Sequence, residues 1–145
     1  MYIQKLEEDS YSRLIEIWDS AVSATHNFLL KEDFEYYKSR LPVYFEHVTL
    51  YGYIDDNKYI KGFLGVSDYM IEMLFVENES RGLGIGKNLL IFAINDLKLI
   101  KVDVNQQNLQ ALLFYKHFGF EEVGLSEKDS EGKNYPIIHL QLIKQ

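Results

Sequence analysis

The sequence has no cysteine. That excludes disulfides, a thiolate metal site and covalent catalysis through a thiol, and it fits a reducing compartment. Proline is scarce, with only 2 in the chain. No stretch is low in complexity, repeated or linker-like, so a single domain over residues 1–145 is expected. Long apolar runs are missing as well. The longest, Leu89 to Ile94, falls far short of the roughly 20 residues of a membrane span. The first residues, Met1 to Asp9, carry acids and no apolar stretch, which does not fit a signal peptide. Positive charge is the minority sign: Lys plus Arg number 15 against 22 Asp plus Glu, a net of −7. Nucleic acid and anionic lipid both demand a basic face, so neither is an expected partner. The acidity suits solubility, and it would also steer a cationic small molecule or a basic peptide. A soluble, cytoplasmic protein is the expectation.

What remains is an ordinary globular balance, 47% apolar and 26% charged over 145 residues. A chain of this size can bury roughly 68–70% of its unfolded surface. Tyr2 to Leu6 reads as a strand, and Asp9 or Ser10 opens a helix whose Leu14, Ile17, Trp18, Ala21 and Val22 form one apolar stripe. Phe34, Tyr37 and Leu41 continue at helical spacing until Pro42, where an interruption is expected. Strands follow at Val48–Ile54, Tyr59–Ser67 and Tyr69–Val76, the first two joined by the turn Asp55 to Lys58. After a glycine-rich turn comes a helix to about Leu97, a strand over Leu99–Val104, and a helix over Gln107–Phe118 stopped by Gly119. A last hairpin joins Phe120–Ser126 to Tyr135–Leu142. The order β-α-α-β-β-β-α-β-α-β-β indicates an α+β or mixed α/β domain with a mostly antiparallel sheet. The fourth and fifth strands, joined through a helix, would pair in parallel.

The stretch Glu79-Ser80-Arg81-Gly82-Leu83-Gly84-Ile85-Gly86-Lys87 is the most informative. Each glycine inside a helix costs about 1 kcal/mol relative to Ala, so three in five residues need a reason. Close approach of a ligand to bare backbone is one. N–H groups at a helix start favour an anion, and Lys87 and Arg81 make sense beside a phosphate. A turn that only lets helix and strand pack closely is the plainer explanation. The Walker pattern fails, because Asn88 replaces Ser/Thr and Arg81 holds the first glycine position. The Rossmann pattern fails, because the spacing is G-x-G-x-G.

A strand leading into Arg-x-x-Gly-x-Gly, here Arg81, Gly84 and Gly86, resembles the acyl-CoA signature of the GNAT N-acetyltransferases. The strand Met73-Leu74-Phe75-Val76 resembles that family's central strand. Val104 to Asn108 with Ala111, Phe114-Tyr115-Lys116 and Gly119-Phe120 resembles its second CoA motif. A narrower resemblance, to the YjaB-type acetyltransferases, rests on Ile17-Trp18, Ser20 to Val22, Ala24-Thr25-His26, Phe28-Leu29, Ser126-Glu127, Asp129, Gly132-Lys133 and Tyr135-Pro136. The resemblance implies the GNAT fold, with a splayed parallel pair of strands four and five holding acetyl-CoA. It implies backbone contacts from Leu74, Phe75 and Val76 to the pantetheine arm. The pyrophosphate would sit on N–H groups of Arg81, Gly82, Leu83, Gly84, Ile85, Gly86 and Lys87. Asn108 would contact the pantetheine amides and Tyr115 the sulfur. These two stand roughly 10.5 Å apart along a helix at 1.5 Å per residue, so they would meet different parts of one long ligand. Helix capping is the rival role for Asn108, and core packing for Tyr115.

The implied reaction moves an acetyl group from acetyl-CoA directly to a primary amine: a protein lysine, an N-terminus, a polyamine or another small amine. Tyr115 would be the general acid. Glu72 and His26 are the candidate bases, with Glu72 two residues from Leu74 toward the acceptor side and Asp68 farther off; Tyr135 would line the acceptor mouth or simply pack the hairpin. The histidines His26, His47, His117 and His139 lack metal-ligand spacing, so no metal is expected. A non-catalytic acyl-CoA sensor is the rival function, needing neither Tyr115 nor a base.

Overall fold

The computed structural model describes residues 1–143 of the chain. It divides into two compact units, Met1–Leu99 and Ile100–Gln145; the last two positions of the expected domain, 144 and 145, lie outside the described residues.

The first unit holds β1 (Tyr2–Leu6), α1 (Tyr11–Thr25), α2 (Lys31–Glu46), β2 (Thr49–Ile54), β3 (Ile60–Val66), β4 (Ile71–Val76) and α3 (Ile85–Asn95). Short 3-10 turns precede α1 and follow β4. The four strands pair antiparallel in chain order. The α1 stripe behaves as its spacing predicts: Leu14, Ile17, Trp18 and Val22 are buried. They meet Leu41 and Phe45 of α2 and Leu6, Leu50, Ile54 and Phe63 of the sheet. The Phe45 and Phe63 rings cross at 90°, with centroids 5.8 Å apart. Full burial of one such side chain is worth about 1.5–3 kcal/mol, which gives this cluster the weight to hold both helices on one sheet face. On the other face Tyr51 of β2 meets Phe92 of α3, centroids 5.0 Å apart.

Two expectations about this unit are corrected. Pro42 does not interrupt the second helix; α2 runs through it to Glu46. An interior proline costs about 3 kcal/mol. Leu41 and Phe45, 2% and 1% exposed, bring more than that in burial, so packing overrides the local breaker. The fourth strand begins at Ile71, not Tyr69. Ser67 Oγ accepts from the N–H groups of Tyr69 and Met70, and Ser67 N–H bonds Met70 O at 3.0 Å, which ties these residues into a turn.

The second unit holds β5 (Lys101–Asn105), α4 (Leu109–His117), β6 (Phe120–Ser126) and β7 (Ile137–Leu142). β7 pairs antiparallel with both β5 and β6. Val102, Val104, Ile138 and Leu140 are buried and alternate with exposed or half-buried residues, and Leu112 and Tyr115 of α4 are buried too. Gly119 ends α4 at φ 97°, as its place in the sequence predicts.

Candidate active site

β4 hands the chain to the glycine-rich turn through Glu77. Its Oε1 accepts from Arg13 Nη2 at 2.8 Å, and its Oε2 accepts from Ser80 Oγ at 2.8 Å and Lys61 Nζ at 3.3 Å. Arg13 also donates twice to Ile60 O. Backbone bonds run the same way: Glu77 N–H to Lys61 O, and Asn78 N–H to Ser20 Oγ. The Arg13 hydrogen bond leads the causes that pull the Glu77 carboxyl down to about 2. The network bolts the start of the turn to α1 and β3. Sequence reading missed it, since Arg13 and Glu77 stand 64 residues apart and neither belongs to a local motif.

Beyond the bolt, Gly82 and Gly84 adopt φ 80° and 82°, the left-handed region that L side chains avoid. Both lie in the turn before α3, at the mouth of the helix, and Gly86 is the second residue of α3. A Cβ at Gly82 or Gly84 would meet nothing within 4 Å, so neither glycine is there to let elements pack. That removes the plain packing explanation for these two. Gly84 caps α3 with no side chain, and the first helical bond is Asn88 N–H to Gly84 O at 3.0 Å. The N–H groups of Ile85, Gly86 and Lys87 therefore have no acceptor inside the helix. Ile85 buries its side chain, leaving its N–H as the atom it can offer, while Arg81 and Lys87 are exposed. Room, donors and cations together fit a pyrophosphate. Leu74, Phe75 and Val76 are half-buried and pair with β3 along one edge of β4.

A cavity of about 230 Å³ opens in the same unit, and it brings the two candidate bases together: both His26 and Glu72 line it. Its walls include Trp18, Leu29, Tyr37 and Tyr44. His26 caps the C-terminus of α1, with its N–H on Val22 O and its Nδ1 2.8 Å from Thr25 Oγ1. Burial lowers its pKa to about 4, so it is neutral at pH 7. Glu72 is exposed on β4, its Oε1 3.5 Å from Ser67 Oγ. Asp68 lines a different cavity, of about 570 Å³, with Glu46, His47 and Tyr69.

In the second unit Asn108 caps α4, its Oδ1 accepting from Ala111 N–H at 3.2 Å. That is the capping role weighed against ligand binding. Tyr115 is 5% exposed, its ring edge-on to Phe114 and Phe120 at 5.2 and 5.5 Å. Burial pushes its pKa far above the ordinary value of 10, so the phenol keeps its proton. Tyr135 is also buried, which favours packing of the hairpin. Among the described residues no group of three or more His, Asp or Glu is placed to hold a metal.

The family profile for an acetyltransferase (GNAT) domain matches residues 14–139. The chain is 30% identical over 141 residues to the peptidyl-lysine N-acetyltransferase YjaB of Escherichia coli strain K12, covering 97% of this chain and 96% of that protein. It is 33% identical over 138 residues to the protein of that name in Salmonella typhimurium, with 95% of each covered. The solution structure of apo YjaB from Escherichia coli matches with a TM-score of 0.91 over 99% of this chain and 98% of that one, at 30% identity. The PaiA N-acetyltransferase of Thermoplasma acidophilum, solved with coenzyme A, matches with a TM-score of 0.73 at 19% identity, covering 97% and 98%. At that identity the likeness is one of fold.

Proposed function

The chain belongs to the GNAT acetyltransferase family, and from that premise we propose that it acetylates lysine side chains with acetyl-CoA as donor. The family and the curated relatives make it an N-acetyltransferase of mixed α/β GNAT fold. The observation that carries the acceptor reading is the cavity shared by His26 and Glu72. Its Trp18, Tyr37 and Tyr44 walls suit the aliphatic stem of a lysine and, by their ring faces, its cationic head. The net charge of −7 draws such an acceptor in, and the relatives' name specifies peptidyl-lysine.

The donor reading rests on the turn from Arg81 to Lys87: its open glycines, the Ile85, Gly86 and Lys87 N–H groups at the start of α3 and its two cations suit the pyrophosphate. In the reaction the neutral amine attacks the thioester carbonyl; the N–C bond forms, the C–S bond breaks, and the ammonium proton leaves. A free lysine amine has a pKa of about 10.4, so a base is needed. Glu72 takes that proton directly or through water. His26, held neutral by burial, shapes the cavity and is a weakened base, since its basicity falls with its pKa. Tyr115 gives its proton to the departing thiolate. Leu74, Phe75 and Val76 offer backbone to the pantetheine arm, and Asn108 is the side chain for its amides. The family match over 14–139 runs through both units, which supports one domain. No described helix is long and apolar enough to cross a membrane; with the missing cysteine this supports the cytoplasm.

The test is thiol release from acetyl-CoA with a panel of lysine peptides, polyamines and amino acids. Turnover is expected with lysine peptides, and mass spectrometry should place the acetyl group on the side chain. Binding of acetyl-CoA with no thiol release for any amine would leave a sensor.

A further inference from the structure

We propose a second reactive centre, in the second unit: a Ser126–His139–Asp103 relay that makes Ser126 an acylable nucleophile toward small carboxylic esters. Asp103 Oδ1 stands 2.6 Å from His139 Nδ1, and Ser126 Oγ stands 2.7 Å from His139 Nε2. A carboxylate only accepts, so Nδ1 carries the proton. The neutral ring then presents its Nε2 lone pair to the serine hydroxyl, which donates. This is the order of roles that activates a serine: nucleophile, base, and a group that fixes the base's tautomer.

The sheet builds it. Asp103 on β5 is the register partner of His139 on β7, and His139 is the partner of Gly124 on β6. Ser126 is two residues beyond Gly124 and shares its face. A Cβ at Gly124 would lie 3.3 Å from His139 Cδ2, so a bare backbone there lets the imidazole lie close over β6 toward Ser126. The centre faces away from the buried row of Val102, Val104, Ile138 and Leu140, and His139 and Asp103 remain 36% and 42% exposed. An ester from solution has access. Exposed charge pairs contribute at most about 1 kcal/mol to stability, so fold stability gives little reason for the alignment.

In the acylation step Ser126 Oγ attacks the ester carbonyl and its proton passes to His139 Nε2. The new O–C bond forms, the old one breaks, and the leaving alcohol takes the proton back. Water, activated by His139 in turn, releases the carboxylic acid and restores Ser126.

A fluorophosphonate probe tests this directly, because attack forms the Oγ–P bond and expels fluoride. The full-length protein is expected to be labelled at Ser126 by peptide mapping. His139→Gln should slow labelling at least 100-fold, the scale of general-base catalysis, and Asp103→Asn at least tenfold. Melting temperature and acetyl transfer should stay at parent values in both variants. Absence of label on Ser126 in the parent overturns the proposal. So does an unchanged labelling rate in either folded variant.

Discussion

Tyr115 is caged by Phe114 and Phe120 on rings that Phe could occupy equally well. Tyr115→Phe should therefore keep the fold and acetyl-CoA affinity. If the hydroxyl protonates the thiolate, kcat should fall 10²–10⁴-fold, the contribution typical of a general acid, or about 3–5 kcal/mol of barrier at 1.36 kcal/mol per decade. Burial raises the phenol's pKa, which by itself would make it a reluctant donor. The same loss of water raises the pKa of a thiol bound beside it, so donor and acceptor move together. A kcat within a few-fold of the parent, measured with acetyl-CoA saturating, would remove Tyr115 from the chemistry and leave it a packing residue.

At the scale of the element, the turn after β4 is two devices in series. Glu77 fixes where it begins, through α1 and β3; Gly82 and Gly84 fix its path, through φ values near 80°. Gly84→Val should hardly alter packing, because no atom lies within 4 Å of the new Cβ, but it cannot hold the left-handed backbone without strain. In the parent, acetyl-CoA at 100 times its dissociation constant should add about 2.7 kcal/mol of stability, seen as a rise in Tm. The Gly84→Val protein should fold and show no such rise. An equal rise in both would place the pyrophosphate elsewhere.

For the molecule as a whole, the largest shifts that bear on its response to acid are those of His26 and Glu77, with Asp19 and Asp56 also lowered by their hydrogen bonds to Lys38 and the N-terminus. His26 has a pKa of about 4 when folded against an ordinary 6.5. Between those values the unfolded chain binds more protons, so stability falls as pH drops from 6.5 to 4. Glu77 has a pKa of about 2 against an ordinary 4.5; its contribution is intact above 4.5 and is lost as pH falls toward 2. Urea unfolding followed across pH should show both windows. His26→Gln should flatten the first and leave the second, and Glu77→Gln should lower stability at pH 7 and shrink the second to the part that Asp19 and Asp56 contribute. A first window that survives in His26→Gln would assign it to another group.

Much of this could be read from the chain alone because it is written locally. The α1 stripe, the β2–β3 turn, Gly119 and the glycines before α3 each act on neighbours a few residues away, where periodicity and backbone preference are legible. The family motifs are local strings too. Tertiary structure decided the rest. Pro42 stays helical because Leu41 and Phe45 are buried, a fact about distant neighbours and not about proline. The Arg13–Glu77 bolt, the cavity joining His26 to Glu72 and the alignment of Ser126, His139 and Asp103 each join residues from separate elements. Such contacts leave no period in the sequence, since a hydrogen bond across a sheet depends on register and a cavity on what several elements leave unfilled.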